Sequence, residues 1–452
     1  MRSLFGTDGI RGIANEFLSA ERAMAIGKAL GQILSCGTAH TSSVLIGMDT
    51  RISCGMLSSA ITSGLLSMGC DVIVVGVLPT PALAYLVRRH NAKAAVMISA
   101  SHNPYEYNGI KIFGQNGFKL SDEAEERIES IVLDGINTRT ANPHSIGKLY
   151  SKNDAKDEYI DYLISTCTTP LDGLKIAVDA ANGAASVTAK ELFEKLGAEA
   201  SVIFNKPDGM NINAKCGSTD LEALKAHVIS GNFDVGIAFD GDADRCLALD
   251  SCGNVIDGDF IMAIIAEDMM SRGELNKNTV VGTVMTNLGF RKFCEENGIN
   301  FVSTKVGDRY VLEAMNQGAY SLGGEQSGHL IMRKHSTTGD GQLTALTLLS
   351  IIKKSGKSLK ELSAIMKKFP QHTENIPATQ NQKNAFLKDK KIKFILDDAK
   401  KQLLKHGRIV ARPSGTEPLI RITIECDEAY DAKNLARDIA DKIVIQLKEY
   451  KN

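Results

Sequence analysis

Three similar α/β domains followed by a smaller α+β domain are what this sequence predicts, on three observations. Strand-like and helix-like segments alternate from residue 43 onward. That order recurs three times at a spacing of about a hundred residues, too long for a solenoid repeat and suited to duplicated domains. After Gly356 the texture changes. A chain of 452 residues also exceeds what one core can organise and fits three or four domains of ordinary size.

In the first unit Ser19 is placed to cap a helix through Leu34, whose apolar residues Ile26, Ala29, Leu30, Ile33 and Leu34 fall on one face. "VLIGM" reads as a strand ending at Asp49-Thr50-Arg51, and a small-residue helix over 55–69 follows. Next come the β-branched strand "DVIVVGV", a helix over 81–90 behind two prolines, and the apolar run Ala94 to Ile98, a strand expected to end by presenting Ser101 in "SASHNP". The second unit starts at "LKIAVDAANGAASVTAKELFEKLGAEASVIFN" and passes through a helix near 220–230 into "DVGIAF", ending at Asp240. The third starts at "TVVGTVMTNLGF" and leads through "YSLGG" to Glu325. In every copy a chemically loaded loop follows the last strand, the edge at which ligands bind open α/β sheets. Beyond Gly356 the order is a lysine-rich helix, the proline-marked "FPQHTENIPATQNQ", a charged helix over 384–405, a strand, the "ARPSGTEP" loop, the strand "LIRITIEC" and a helix over 428–448. The expected domains are 1–154, 155–256, 257–368 and 369–452.

A net charge of −1, from 52 basic and 53 acidic residues, gives no overall field for nucleic acid or an anionic membrane, so any anion must be gripped locally. Nine scattered cysteines without a CxxC pair argue against a disulfide framework and a zinc site. With no apolar signal core in "MRSLFGTDGIRG", a reducing cytoplasm is expected. The uncharged stretches 52–70 and 72–87 are broken by serines and by Pro79 and Pro81, and neither is a span of ~20 apolar residues. "KDKKIK" reads as a solvated helix face.

"DGDADR" sets Asp240, Asp242 and Asp244 at alternate positions, three oxygen ligands for one hard cation, and magnesium suits them. An EF-hand starting at Asp240 would need glycine and glutamate where Arg245 and Ser251 stand. "SASHNP" by itself is a turn beside a serine; without a GxSxG elbow, His102 is no evidence of a triad. Next to a magnesium site Ser101 reads as a phosphate carrier, since phosphorylation adds roughly −1.5 to −2 charge for the metal and nearby cations to balance. "ARPSGTEP" with Arg421 offers an arginine fork, two hydroxyls and a close-approaching glycine N–H, a phosphate cradle with no Walker loop beside it. In "GGEQSGH", Glu325 and Ser327 suit vicinal sugar hydroxyls and His329 a proton carrier. "FGTDGIRG" is neither a Rossmann fingerprint nor a P-loop, no strand is expected ahead of its glycines, and Arg11 is either an anion contact or an ordinary surface ion pair.

In order and over nearly the whole chain, these motifs resemble those of the α-D-phosphohexomutases. Gln326 and Gly415 resemble the amino-sugar branch, where the mannose and glucose branch more often has methionine and asparagine. The resemblance implies a heart-shaped fold, with three topologically similar α/β domains of mixed sheets around a central cleft, plus a smaller C-terminal α+β domain. It implies phosphoserine at Ser101 and one magnesium per chain on Asp240, Asp242, Asp244 and a Ser101 oxygen. Sugar contacts fall on Glu325 and Ser327, and phosphate contacts on Arg412, Ser414, Gly415, Thr416 and Arg421. Lys111 in "NGIKIF" matches a proposed acid/base group, and Arg245 and His329 match other cleft residues. The implied reaction exchanges glucosamine 6-phosphate and glucosamine 1-phosphate, with glucosamine 1,6-bisphosphate as intermediate and activator, and feeds UDP-N-acetylglucosamine and peptidoglycan precursor synthesis. Sugar phosphates are the implied partners, with neither nucleic acid nor membrane, and monomer or homodimer is left open. A glucose or mannose phosphate mutase is the nearest alternative. A non-catalytic sugar-phosphate sensor is a third reading, but it predicts a lost nucleophile or metal ligand, and Ser101 and all three aspartates are present.

Overall fold

Each of the three repeats folds into a mixed sheet of one connectivity. The computed structural model describes residues 4–6, 8–35, 42–134, 140–404, 406–414, 418–427 and 430–450. In the first repeat three parallel strands, Ser43–Met48, Asp71–Val77 and Ala94–Ile98, precede the antiparallel Tyr107–Gly114. The second repeats this with Lys175–Asp179, Glu199–Ile203, Val235–Phe239 and Cys246–Asp250, and the third with Thr279–Thr283, Asn300–Thr304, Leu322–Gly324 and Leu330–Met332. The spatial order is second, first, third, fourth strand in all three.

Parallel neighbours require crossovers, here helices such as Cys54–Ser67 and Thr80–Arg89, whereas the last pair is antiparallel and joined directly. That direct connection is the loaded loop in each copy, so the loop follows the third strand and not, as the sequence suggests, the last; the fourth strand is hidden behind the loop's polar residues. "AAVMI" and "VGIAF" are buried at every position because both faces of their sheets are covered.

Two edges extend the first sheet to seven strands. Leu149–Ser151 joins one side, and a hairpin of Phe5–Gly6 and Gly9–Ile13 joins the other against Tyr107–Gly114. "FGTDGIRG" is thus strand-forming, which its glycine pattern did not suggest. Ser19 caps helix Ala20–Ser35 as expected, its Oγ accepting from the Arg22 N–H at 3.3 Å.

The C-terminal sheet is antiparallel, with Leu419–Cys426 between Gln371–Pro377 and Gly407–Pro413. The charged helix expected over 384–405 is two helices, Gln380–Lys388 and Lys390–Leu403. Asp389 breaks them apart by leaving helical geometry, and its carboxylate caps the second through the Lys391 and Ile392 N–H groups at 2.6 and 3.0 Å. One apolar core runs continuously through the first three sheets, joining Leu83, Phe239 and Ile261, while the C-terminal sheet has its own around Ile422 and Ile439. Among the described residues every cysteine is a free thiol, and no helix is long and apolar enough to cross a membrane.

Strand Lys175–Asp179 ends on a buried carboxylate that accepts from the Ala181 and Gly217 N–H groups, both at 2.8 Å. Burial raises the Asp179 carboxyl to about 6, more than those donations lower it. Between about pH 4 and 6 the folded chain keeps a proton that the unfolded chain has released, so this group's stabilising contribution is full at the low end and lost as pH rises. Asp179→Asn is expected to remove that dependence, gaining stability relative to wild type as pH rises through the window. Urea denaturation at successive pH values measures it, and a constant difference between the two proteins contradicts it.

Candidate active site

Ser101 lies not at the end of its strand, as the sequence suggests, but past it in a left-handed turn with φ of 53°. A non-glycine residue there is strained unless its surroundings hold it. Arg51 supplies the hold. It is 2% exposed, pairs with Asp49 Oδ2 at 2.9 Å, and spends its remaining donors on the carbonyls of Ser101, Asn103, Pro104 and Tyr107 at 2.5–3.1 Å. Asn213 Nδ2 donates to the same Ser101 carbonyl at 2.9 Å. Ser99 Oγ completes the turn, accepting from the Ser101 N–H at 2.9 Å and donating to Asp49 at 2.6 Å.

The Ser101 hydroxyl then donates to Asp240 Oδ2 at 2.6 Å. Oxygens of Asp240, Asp242 and Asp244 lie within 4.8 Å of one another, all three residues being buried. Burial, and then the charges of Asp244 and Asp242, push the Asp240 carboxyl well above its usual range. Asp242 goes the other way: burial raises it, but the Lys111 charge and hydrogen bonds from Lys111 and Thr80 more than offset that. Oδ1 of Asp242 and of Asp244 has no hydrogen-bond partner among the described residues. Buried carboxylates with orphaned oxygens are costly unless a cation joins them, so the triad suits a metal site.

Cations ring these acids. Lys111 Nζ is buried 2.7 Å from Asp242, 3.1 Å from Asp8 and 3.6 Å from Asp244. Burial alone would lower its pKa, and those carboxylates carry it above the usual range. The Arg245 guanidinium is 3.9 Å from both Asp240 and Asp244, and the charge of Glu325 also reaches it. Arg11 pairs with Asp8 and senses Asp242 and Arg245, which puts it in the same cluster. His102 Nδ1 is 3.3 Å from Ser101 Oγ, but burial and the charges of Arg245 and Arg11 depress it to about 3. Among the described residues it has no carboxylate partner of a triad's kind. His329 Nε2 accepts from the Gly339 N–H at 3.2 Å and faces Asp244 and Asp308 at 3.9 Å.

The "GGEQSGH" loop is pinned to the aspartate loop, since the Cys246 N–H donates to the Gly328 carbonyl at 3.0 Å. Glu325 Oε1 accepts from the Gly307 N–H at 3.0 Å, and Ser327 is half-buried beside it on the same loop. Arg412 and Arg421 stand on a different sheet, directly opposite each other in register and therefore on one face. Ser414 is buried, and its carbonyl accepts from buried Lys383 at 2.8 Å. Gly415 and Thr416 lie outside the described residues. Ser101, the three aspartates, Lys111, Arg245, Arg11 and His329 thus form one contiguous cluster; Glu325 and Ser327 adjoin it, and the arginine pair belongs to the separate fourth sheet.

Several members escaped the sequence reading. Thr80 N–H and Oγ1 donate to the carbonyl and carboxylate of Asp242 at 2.9 and 2.6 Å. Lys119 pairs with both Asp8, in the hairpin turn at the edge of the first sheet, and Asp308, the first residue of helix Asp308–Gly318 in the third repeat. Asp49-Thr50-Arg51 followed a strand as the loaded loops do, which was the available signal for Arg51. Nothing comparable marks Thr80, Asn213 or Lys383.

Family descriptions of phosphoglucomutase/phosphomannomutase match in succession: alpha/beta/alpha domain I over residues 2–139, domain II over 157–253, domain III over 257–369 and the C-terminal domain over 353–442. The chain is 50% identical over 450 residues to a phosphoglucosamine mutase of Clostridium botulinum strain Hall, covering 99% of this chain and 100% of that one. It is 48% identical over 449 residues to one from Clostridium kluyveri, with the same coverage. The chain belongs to the phosphoglucosamine mutases. Among solved structures, a phosphoglucomutase/phosphomannomutase family protein from Burkholderia thailandensis superposes with a TM-score of 0.81 at 22% identity, covering 100% and 99% of the two chains. An Aspergillus fumigatus N-acetylphosphoglucosamine mutase, solved with GlcNAc-6P and magnesium, shares the fold at a TM-score of 0.70 and 18% identity, covering 98% and 95%. In this phosphoglucosamine mutase the grip of Arg51 on the Ser101 turn gives a direct test. Arg51→Met strands the buried Asp49 carboxylate and is expected to cost about 3–5 kcal/mol of unfolding free energy in urea. A loss below about 1 kcal/mol contradicts the account, because a surface-like residue is then all that Arg51 is.

Proposed function

We propose that the chain exchanges glucosamine 6-phosphate and glucosamine 1-phosphate through phosphoserine at Ser101 and a glucosamine 1,6-bisphosphate that turns round in the cleft. The observation that carries this reading is the Ser101 hydroxyl 2.6 Å from Asp240, within a buried carboxylate triad that keeps two orphaned oxygens. The all-oxygen set fits magnesium, held by Asp240, Asp242, Asp244 and an oxygen on Ser101. When bound, that ion supplies charge stabilisation to the serine oxygen as its bond to phosphorus breaks. The magnesium and sugar phosphate held by the Aspergillus protein support the assignment.

In the forward step the Ser101 Oγ–P bond breaks as a bond forms from phosphorus to the C1 oxygen of glucosamine 6-phosphate, and the proton of that hydroxyl ends on Ser101 Oγ. After the bisphosphate has turned, the 6-phosphoryl group moves to Ser101 Oγ and the proton goes to the C6 oxygen. Of the two groups expected to carry it, His329 has a ring nitrogen to offer, whereas Lys111, held among three carboxylates, keeps its own proton and stays charged. Arg11, Lys111 and Arg245 surround the transfer point with the fixed positive charge that phosphoryl transfer asks of a protein. Glu325 and Ser327 hold sugar hydroxyls in either orientation. Arg412, Ser414, Gly415, Thr416 and Arg421 hold whichever phosphate is not being transferred.

Intact-mass measurement with peptide mapping is expected to find a phosphoryl group on Ser101 of the protein charged with bisphosphate, absent from Ser101→Ala. That variant is expected to lose at least about a thousandfold in kcat, as removal of a covalent carrier does. Full activity of Ser101→Ala overturns the carrier mechanism. Side-by-side kinetics are expected to give glucosamine 6-phosphate a higher kcat/KM than glucose or mannose 6-phosphate, and the substrate assignment is wrong if it is the poorest. A chelator is expected to abolish turnover and added magnesium to restore it; turnover that persists in chelator removes the metal from the reading.

A further inference from the structure

We propose that Asp259 and Gln326 are positioning residues that fix the sugar-gripping loop and the phosphate-gripping domain in register with each other; this rests on the function read above. Asp259 is fully buried near the start of helix Gly258–Ser271 and takes no part in the cluster around Ser101. One of its oxygens, Oδ2, accepts two hydrogen bonds: from the Asn287 N–H at 2.8 Å and from Gln326 Nε2 at 3.3 Å.

Gln326 lies between Glu325 and Ser327, the two residues assigned to the sugar. Its side chain turns away toward the helix, and its carbonyl accepts from the Gly258 N–H at 3.0 Å. The approach is close enough that a Cβ on Gly258 would fall 2.2 Å from the Glu325 carbonyl oxygen. The loop is therefore pressed onto the end of this helix by backbone and side chain together.

On the other side, Asn287 clamps Phe369. Its Nδ2 donates to the Phe369 carbonyl at 3.1 Å, and its Oδ1 accepts from the Phe369 N–H at 3.0 Å. Phe369 immediately precedes Pro370 and strand Gln371–Pro377, where the chain enters the fourth sheet. The next residue, Leu288, donates its N–H to buried Glu425 at 2.9 Å; Glu425 sits on the strand that bears Arg421 and also pairs with Arg408 at 2.8 Å. The fourth sheet has an apolar core of its own, and these directional polar bonds help join it to the third. Asp259 Oδ2 is the atom at which the bonds from Gln326 and from Asn287 meet. The bisphosphate must be gripped at a sugar face and a distant phosphate at once, so the distance between the two grips is part of the affinity.

Three full-length variants test this: Gln326→Leu, Asp259→Ala and Asp259→Asn, the last keeping an acceptor oxygen. KM and kcat are measured for glucosamine 6-phosphate and glucosamine 1-phosphate, and amide hydrogen exchange is followed at 325–328 and at Phe369. Gln326→Leu and Asp259→Ala are expected to raise KM about five- to tenfold with kcat within about twofold, the signature of lost uniform binding. Both are expected to speed exchange at Phe369, which Gln326 does not bond, and Asp259→Asn restores wild-type behaviour. The proposal is overturned if Gln326→Leu leaves either Phe369 exchange or KM unchanged, or if Asp259→Asn is as impaired as Asp259→Ala. Gln326, half-exposed, keeps the test decisive should Asp259→Ala fail to fold. If wild type ignores the amino sugar yet Gln326→Leu still loosens Phe369, the substrate reading fails and the coupling stands.

Discussion

Three carboxylates buried beside one hydroxyl form the constraint on which this structure depends. Isolated in a low-dielectric interior, Asp240, Asp242 and Asp244 would repel one another and be driven to protonate, as the raised pKa of Asp240 records. The surrounding elements answer that cost. Lys111 arrives from the antiparallel strand of the first sheet, Thr80 from the start of a crossover helix, and Arg245 from the aspartate loop itself. Two oxygens are still left without donors, the chemical opening for a divalent ion.

Such a cluster can exist only if separate domains are held to within tenths of an ångström. The contact is made by backbones that approach at glycines: a Cβ on Gly241, in the aspartate loop, would lie 2.5 Å from the Ser101 carbonyl oxygen. Arg51 and Asn213 hold that carbonyl from the first and second domains, and the shared apolar core behind the three sheets keeps the approach from relaxing. The phosphate-gripping sheet is built differently. Its core is its own, and directional polar bonds from Asn287 and Leu288 help seat it.

Much of this was legible in the chain. The alternation of apolar strands with one-faced helices gave three α/β units, because burial on both sides of a parallel strand demands continuous runs such as "AAVMI". The loaded loops were legible because carboxylates at alternate positions, or arginine with hydroxyls and glycine, exceed what a turn needs. Less legible was anything decided by a partner far away in sequence. The "FGTDGIRG" hairpin is a strand because Tyr107–Gly114 offers it an edge. The break at Asp389 depends on a single cap inside an otherwise uninterrupted helical pattern.

Residue types and their local spacing determined which groups are available: a serine to carry phosphate, three oxygen ligands for a hard cation, and an arginine loop for an anion. Those are properties of short segments, since ligand chemistry and turn geometry are set within a few residues. Tertiary structure decided which groups meet and in what state. It put Ser101 in a left-handed turn against Asp240, set Lys111 among three carboxylates, surrounded His102 with arginines, and turned Gln326 toward Asp259. Proximity across more than a hundred residues and the burial that shifts a pKa are long-range quantities, created when the sheets pack, and no local pattern encodes them.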